Sequence, residues 1–175
     1  MSDSVTITID GQKIHAKSGQ NLLEVAKQNN ILIPSLCYHR KLTPTGACRL
    51  CITKIKGMNG LMASCTVAVS DRMEVTAFDD ELEEARKYLL DYLLSEHNEA
   101  SDQSYEDEFK ALISRYGLDD PEQRLFPSVW ESLGYPTDDS SPVLTYDASK
   151  CIKCFRCVKA CDEVQGKNVL SFANR

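Results

Sequence analysis

Eight cysteines in two separate groups of four constrain this 175-residue sequence more than any other feature. The C-terminal group has the spacing Cys-x2-Cys-x2-Cys-x3-Cys, over Cys151, Cys154, Cys157 and Cys161. Three thiolates at intervals of three residues can surround one four-iron cluster in a tight loop, and a fourth follows at the start of the next helix, as in bacterial ferredoxins. Asp162 stands where a proline usually follows such a run. The spacing predicts an iron–sulfur site.

The N-terminal group has a second spacing, Cys37-x10-Cys48-x2-Cys51-x13-Cys65. This is not the plant-type ferredoxin spacing, but it has the same logic of three ligands in one loop and a fourth that returns from a strand. Gly46 precedes the close pair, and we expect it to let backbone N–H groups approach the sulfurs, which tunes the reduction potential of a cluster. The sequence therefore predicts a second iron–sulfur site.

Other uses of cysteine remain alternatives but fit less well. A four-cysteine zinc site usually combines two Cys-x2-Cys pairs about 15 to 20 residues apart, whereas a long acidic segment separates Cys51 from Cys151. Disulfides are disfavoured because the N-terminus lacks the basic and apolar regions of a secretion signal. A thiol nucleophile lacks a local Cys–His pairing beyond the poorly placed Cys37 and His39. We expect His15 and His39 to be structural or exposed rather than ligands.

Charge divides the chain into three parts. Residues 1–70 have a formal charge of +5, residues 71–142 of −14 and residues 143–175 of +3, and the whole chain has −6. All eight cysteines lie in the two basic parts, where Lys and Arg stabilise thiolates. The overall negative charge argues against nucleic-acid binding, and no apolar run has the length of a membrane span. We expect a cytoplasmic protein without direct membrane insertion.

Local patterns predict an N-terminal module with a hairpin and further strands. Residues 5–9 alternate as in a half-buried strand, the Asp10-Gly11 pair favours a hairpin turn, and a partner strand follows at 14–16. Short strands at 52–55 and near 65–69 are expected to close the module around the cysteine loop. With one helix between the hairpin and the loop, this order suggests a β-grasp, the ubiquitin-like arrangement of [2Fe–2S] ferredoxins.

Three longer helices are predicted. Asn21 is the expected N-cap of the first, with Glu24 three residues on as in a capping box. Residues 80–94 and 105–116 have the periodicity of amphipathic helices, and Gly117 is a natural end for the last one. The expected buried faces are Leu22, Val25 and Ala26 in the first helix, Leu82, Ala85, Leu89 and Leu93 in the second, and Phe109, Leu112, Ile113 and Tyr116 in the third.

The cysteine-bearing segments resemble a known family. LIPSLCYH, TGACRLC, ASCT and KCIKCFRCVKACDEVQG are similar to the N-terminal electron-transfer region shared by the large iron–sulfur subunit of respiratory NADH dehydrogenase, NAD-linked molybdenum or tungsten formate dehydrogenases and [FeFe]-hydrogenases. Small diaphorase subunits of NAD-reducing hydrogenases are relatives, and the CDEVQG stretch is most similar to the formate dehydrogenase branch. The resemblance covers nearly the whole chain except about 98–142. It implies a [2Fe–2S] cluster on the first four cysteines and a [4Fe–4S] cluster on the last four.

The sequence departs from that family in two places. Members commonly have a middle cluster ligated by His-x3-Cys-x2-Cys-x5-Cys after the long helix, but the stretch 96–105 keeps only the histidine, His97. We therefore expect His97 to be an ordinary polar residue. Relatives also continue into a second cysteine run and often a catalytic domain, whereas this sequence stops 14 residues after Cys161. We expect no pterin or hydrogen-activating centre.

These observations predict an α+β protein in three parts. Residues 1–78 form a β-grasp [2Fe–2S] ferredoxin module, residues 79–142 an acidic helical connector ending in a proline-rich linker, and residues 143–175 a ferredoxin-like [4Fe–4S] module. Cys161 either completes the local cluster or ligates a second one. We favour the self-contained site, because the eight cysteines then divide evenly into two sets of four.

The expected function is single-electron transfer in a multi-subunit oxidoreductase. The chain would relay electrons between a flavin- or NAD-binding diaphorase-type subunit and a catalytic subunit, without a substrate pocket of its own, so the clusters supply the chemistry and the protein sets their positions. One alternative is the N-terminal portion of a formate dehydrogenase or [FeFe]-hydrogenase catalytic subunit. An iron–sulfur sensor or adaptor is the third possibility.

Overall fold

A computed structural model describes residues 4–98, 108–134, 136–143 and 145–172. The described residues fall into two units, one from Met1–Glu84 together with Cys154–Arg175 and the other from Ala85–Lys153. The division into three parts at residues 78 and 142 stays a prediction. In the described ranges, no helix combines the length and apolar character that crossing a membrane requires.

A five-stranded mixed sheet is the framework of the first unit. Its strands are β1 Ser4–Ile9, β2 Gln12–Lys17, β3 Ile52–Ile55, β4 Met62–Ala63 and β5 Glu74–Thr76, in the spatial order β2-β1-β5-β3-β4. β1 is parallel to β5, and the other neighbours are antiparallel. The predicted β1–β2 hairpin is confirmed, and Asp10 and Gly11 take φ values of 47° and 81°, the left-handed conformation that a type I′ turn requires.

The predicted strand near residues 65–69 is wrong. A 3-10 turn occupies Ser64–Thr66, and beyond it Ala68 forms only an isolated bridge with Asn21. The sheet instead contains β5, which no sequence pattern indicated. Only Val75 is buried in this three-residue strand, so the strand is too short to show alternation.

Helix α1, Leu22–Gln28, supplies the other side of the core. Its buried residues are Leu22, Leu23, Val25 and Ala26, which confirms the predicted stripe and adds Leu23. They belong to one apolar cluster with Ile7 and Ile9 of β1 and Ile14 of β2. Full burial of each large aliphatic side chain contributes about 1.5–3 kcal/mol relative to exposure. This mixed α+β arrangement is consistent with the predicted ferredoxin-like module.

Helix α2 covers Asp80–Ser95, close to the predicted 80–94, but its buried face differs from the prediction. The most buried positions are Leu82, Arg86, Leu90, Asp91 and Leu94, whereas Ala85, Leu89 and Leu93 are only half-buried. The prediction assigned only apolar residues to the buried face and therefore missed the buried Arg86 and Asp91. The buried Asp91 carboxylate accepts the Leu125 and Phe126 N–H groups at 2.6 and 3.3 Å, which compensates part of its desolvation.

Helix α3 covers Glu108–Arg115, and residues 105–107 of the predicted helix lie outside the described residues. Phe109 and Ile113 are buried as predicted, while Leu112 and Tyr116 are half-buried. Gly117 ends the helix at φ 67°. The following N–H, of Leu118, donates to the Ile113 carbonyl at 3.0 Å, which is the 6→1 bond of a Schellman cap.

Beyond α3 the elements are short. The proline-rich linker is mainly irregular, as predicted, apart from a 3-10 turn at Pro121–Gln123 and strand β6, Thr137–Asp138. β6 pairs antiparallel with β7, Tyr146–Asp147. Helix α4, Arg156–Lys159, continues directly into a π-helical turn at Ala160–Val164. The predicted C-terminal [4Fe–4S] module stays a prediction.

Candidate metal centre

The four N-terminal cysteines come from separate stretches of the first unit and are all buried. Cys37 and Cys48 lie in the long loop between α1 and β3, Cys51 directly precedes β3, and Cys65 lies in the turn at Ser64–Thr66. None of the four is more than 6% exposed. Cys51 and Cys65 are thus placed by backbone next to the sheet, and Cys37 and Cys48 are placed by the loop.

Hydrogen bonds connect these four thiols into one group. Cys37 bonds with both Cys48 and Cys65, and Cys65 also bonds with Cys51. The structure therefore brings together all four residues that the sequence assigns to the first site. All eight cysteines of the chain are free thiols.

This network shifts the pKa of every thiol in it. Hydrogen bonds from Cys48 and Cys65 lower the pKa of Cys37 to about 2, and a hydrogen bond with Cys65 lowers the pKa of Cys51 to about 7. The pKa values of Cys48 and Cys65 are raised, first by their hydrogen bonds to neighbouring thiols and then by burial. The thiolate form is thus favoured at Cys37 and Cys51 and disfavoured at Cys48 and Cys65, and a bound metal would displace the remaining thiol protons.

Backbone amides also donate to these sulfurs. The Leu36 N–H lies 3.4 Å from the Cys48 Sγ, and the Leu50 amide is a second donor to the same sulfur. Gly46 takes φ 62°, and a Cβ there would lie 3.4 Å from the Thr66 methyl group. The left-handed conformation therefore favours glycine at position 46. The amides that donate to a sulfur belong to Leu36 and Leu50, so the expected role of Gly46 in bringing N–H groups to the sulfurs stays a prediction.

The donor set can be compared with what an iron–sulfur cluster needs. In the described part of the chain, no group of three or more Cys, His, Asp or Glu side chains could hold a single metal ion. A [2Fe–2S] cluster takes two thiolates on each of its two irons. Four buried thiols in one group supply that number of ligands. Cys37, Cys48, Cys51 and Cys65 are therefore suited to a [2Fe–2S] cluster.

Asn21 connects α1 to the Cys65 turn. Its side-chain oxygen accepts the Glu24 N–H at 3.2 Å, so the predicted N-cap is confirmed. Its side-chain nitrogen donates to the Cys65 carbonyl at 2.6 Å. One amide side chain thus caps the helix and fixes the backbone of a candidate ligand, and only the first role was predictable from the sequence.

Replacement of Asn21 by alanine is expected to destabilise the chain by about 2 kcal/mol. Loss of an N-cap costs about 1 kcal/mol, and loss of the hydrogen bond to the Cys65 carbonyl costs about as much again. Urea denaturation of the full chain measures the change. Lys27→Ala, an exposed position on the same helix, is the matched control and should change stability by less than about 0.5 kcal/mol. An equal loss in both variants would contradict the double role of Asn21.

Each of the three histidines contacts a polar or aromatic neighbour. His15 is exposed on β2 and its Nδ1 hydrogen-bonds with the Thr6 hydroxyl. His39 is exposed in the loop and accepts the Lys41 N–H at 3.3 Å. His97, in the second unit, packs edge-on against the Phe109 ring with centroids 5.1 Å apart. His15 and His39 are exposed, as predicted.

The C-terminal cysteines lie on tightly turned backbone. Cys151 belongs to the second unit, follows a 3-10 turn at Ala148–Lys150 and accepts the Lys153 N–H on its sulfur at 3.4 Å. In the first unit, Cys154 precedes α4, Cys157 lies within it and Cys161 lies in the π-helical turn. Cys161 is buried and Cys157 is exposed.

Two non-glycine residues between these cysteines take left-handed conformations. Lys153 has φ 54° and Phe155 has φ 68°, values that cost free energy for residues with a side chain. The Lys153 ammonium forms an ion pair with Glu96 within the second unit. The Phe155 ring packs on Phe172 within the first unit, with centroids 4.0 Å apart. Such strain and π-helical turns are concentrated at functional sites in proteins.

Helix α4 and the π-helical turn that follows it, residues 156–164, are together called the α4 segment. Within the first unit, this segment also contacts the loop that carries Cys37 and Cys48. The Arg156 guanidinium donates to the Tyr38 carbonyl at 2.9 Å. The Thr43 N–H donates to the Glu163 carboxylate at 2.7 Å, and Lys159 donates to the same side chain at 2.9 Å. These bonds lower the pKa of Glu163. No sequence signal pointed to these contacts.

Comparisons with known proteins agree with this geometry. Residues 2–79 match the family described as a 2Fe-2S iron-sulfur cluster binding domain. The chain is 32% identical to the gamma subunit of the NAD-reducing hydrogenase HoxS of Cupriavidus necator, over 98% of this chain and 72% of that protein. It is also 32% identical to an NADH-quinone oxidoreductase subunit of Rhizobium meliloti, over 93% of this chain but 19% of that protein.

A solved structure is similar to nearly the whole of this chain. A chain in the crystal structure of an NAD+-reducing [NiFe]-hydrogenase in the H2-reduced state has a TM-score of 0.82 and 29% identity, with 98% of this chain and 71% of that chain covered. The protein therefore has a [2Fe–2S] cluster-binding domain at residues 2–79 and belongs to the same family as the gamma subunit of the NAD-reducing hydrogenase HoxS.

Proposed function

We propose that this chain is an electron-transfer subunit that relays single electrons between a flavin- or NAD-binding diaphorase-type subunit and a catalytic subunit. The observation that carries the proposal is the group of four buried cysteines in the first unit, within the residues that match a [2Fe–2S] cluster-binding family. The family relationship to the HoxS gamma subunit supports it. The names of the relatives, an NAD-reducing hydrogenase and an NADH-quinone oxidoreductase, support partners that handle a nicotinamide cofactor.

In this proposal Cys37, Cys48, Cys51 and Cys65 hold a [2Fe–2S] cluster. When bound, such a cluster accepts and releases one electron. The chain itself contributes burial, which excludes water from the sulfurs, and N–H donors such as Leu36. Donors of this kind stabilise the more negative, reduced state and so raise the reduction potential.

A second cluster, [4Fe–4S], is proposed on Cys151, Cys154, Cys157 and Cys161. The Cys-x2-Cys-x2-Cys-x3-Cys spacing supports it. The left-handed residues Lys153 and Phe155 support it as well, since a backbone that turns repeatedly can direct closely spaced sulfurs to one point.

A second candidate function is the N-terminal portion of a longer enzyme, and one observation favours it. The chain spans 19% of the length of the NADH-quinone oxidoreductase relative from Rhizobium meliloti, so the same region occurs as a part of larger proteins. The similarity of CDEVQG to the formate dehydrogenase branch makes a molybdenum or tungsten formate dehydrogenase the form of this alternative to test, with an [FeFe]-hydrogenase as the other.

Iron analysis with electron paramagnetic resonance (EPR) tests the proposal. Anaerobically purified full chain should contain about six iron atoms, and dithionite reduction should produce both a [2Fe–2S] and a [4Fe–4S] signal. Stoichiometric zinc without a reducible signal would overturn it. Mass spectrometry of the native complex should find nicotinamide- or flavin-binding chains bound to this one. Isolation of this sequence from its native source as part of one longer polypeptide would favour the second candidate.

A further inference from the structure

The α4 segment is attached to the cysteine loop at two points. Near its start, Arg156 donates to the Tyr38 carbonyl at 2.9 Å, and near its end Glu163 accepts the Thr43 N–H at 2.7 Å. Both segments belong to the first unit. Seven residues of helix separate the two attachment points, which is about 10 Å along the axis. Two bonds this far apart fix the direction of the segment as well as its position.

Each bond lies beside cysteines from both groups. Tyr38 directly follows Cys37, and Arg156 directly precedes Cys157. At the other end, Glu163 follows Cys161 by two residues, and Thr43 lies in the loop between Cys37 and Cys48. The contacts therefore join the backbone around candidate ligands of one site to the backbone around candidate ligands of the other.

Both bonds involve a charged side chain, and such bonds are stronger than neutral ones. Glu163 is further held by Lys159, one turn earlier on the same segment, at 2.9 Å. The carboxylate is thus oriented by its own helix before it accepts the Thr43 N–H. This pre-orientation reduces the entropy lost when the bond to the loop forms.

We propose that Arg156 and Glu163 are positioning residues, which fix Cys157 and Cys161 relative to Cys37 and Cys48. The inference rests on the proposed function, because it gives the two cysteine groups of an electron-transfer subunit a constant separation. It predicts that removal of either side chain loosens the loop from the α4 segment and so changes the separation of the two cysteine groups, although all eight cysteines are still present. Electron transfer depends steeply on separation, so a fixed spacing is a direct advantage for a relay.

Hydrogen–deuterium exchange on the full, iron-loaded chain tests the attachment. Glu163→Ala should speed exchange of the Thr43 amide at least about tenfold, the factor for losing a hydrogen bond to a charged group. Glu163→Gln keeps an acceptor oxygen and should restore most of the protection. Asp162→Ala, the exposed acidic neighbour, is the matched control and should exchange as the unmodified chain does. At the other attachment point the loop accepts through the Tyr38 carbonyl, so Arg156→Gln, with Arg40→Gln as its control, is followed by exchange of the amides of the loop around Tyr38, which should speed up only in Arg156→Gln.

A spectroscopic measurement tests the spacing itself. Reduction of a second cluster nearby should speed spin relaxation of the [2Fe–2S] signal, and Glu163→Ala and Arg156→Gln should weaken that effect, while the two controls should not. Unchanged exchange and unchanged relaxation in both variants would overturn the inference. Failure of the proposed function is a separate result. An unmodified chain without iron would overturn that proposal, and exchange measured on this iron-free chain and its variants would still decide the attachment.

Discussion

Replacement of Cys65 by serine is expected to abolish the [2Fe–2S] EPR signal and to lower the iron content from about six to about four atoms per chain, since two of the irons belong to this cluster. Cys65 is fully buried and hydrogen-bonds to two of the other three thiols. Its backbone is fixed by Asn21, so no neighbouring side chain can take its place. The second signal should persist, because the C-terminal cysteines contribute no ligand to this site.

Thr66→Ala is the matched control for this substitution. Thr66 lies in the same turn, is exposed, and uses its hydroxyl only to bond the Ala63 carbonyl at 2.9 Å. The control should keep both signals and all the iron. A Cys65→Ser chain that keeps an unaltered [2Fe–2S] signal would remove Cys65 from the ligand set. Loss of both signals would mean that the two sites depend on each other to form.

The sequence predicted those parts of the fold whose signals are local. The Asp10-Gly11 turn needs two left-handed residues, and that pair supplies them at low cost. Asn21 caps the start of α1 and Gly117 caps the end of α3, each by a bond to a residue only three positions away. Such features depend on neighbours in the chain, so residue type and spacing are enough to place them.

Tertiary contacts decided the parts that the sequence could not predict. β5 is a three-residue strand that pairs with β1 and β3, and its position depends on partners 20 to 66 residues away. The face of α2 was misassigned because Arg86 and Asp91 are buried. A charged residue can be buried only where partners compensate it, and the Leu125 and Phe126 amides that bond Asp91 lie 34 and 35 positions along the chain.

Some residues of the candidate site could be predicted from the sequence and others could not. The four thiols of the first group were predictable because cysteine spacing reflects the ligand requirement of a cluster. The residues that support them were not: Asn21 reaches the Cys65 carbonyl across 44 positions, and Arg156 reaches the Tyr38 carbonyl across 118. Single polar residues at such separations carry no pattern that one sequence can reveal.

Replacement of Cys161 by serine is expected to abolish the [4Fe–4S] signal, lower the iron content from about six to about two atoms, and leave the [2Fe–2S] signal in place. Cys161 is buried, whereas Cys157, four residues earlier, is exposed. Residues four apart on a helix lie on the same side, and the π-helical turn at Ala160–Val164 changes that relation locally. A self-contained site needs Cys161 as its fourth thiolate, because Cys151, Cys154 and Cys157 supply only three.

Two further variants make the result on Cys161 decisive. Cys157→Ser removes a thiolate of the three-residue repeat and should lose the same signal whichever role Cys161 has. Asp162→Asn changes the next residue, which is exposed, and should lose nothing. If Cys161→Ser keeps the [4Fe–4S] signal while Cys157→Ser loses it, Cys161 serves a different cluster, as the fourth cysteine does in two-cluster ferredoxins. That outcome would favour the N-terminal portion of a longer enzyme over a self-contained subunit, since the remaining ligands would have to come from sequence beyond these 175 residues or from a partner.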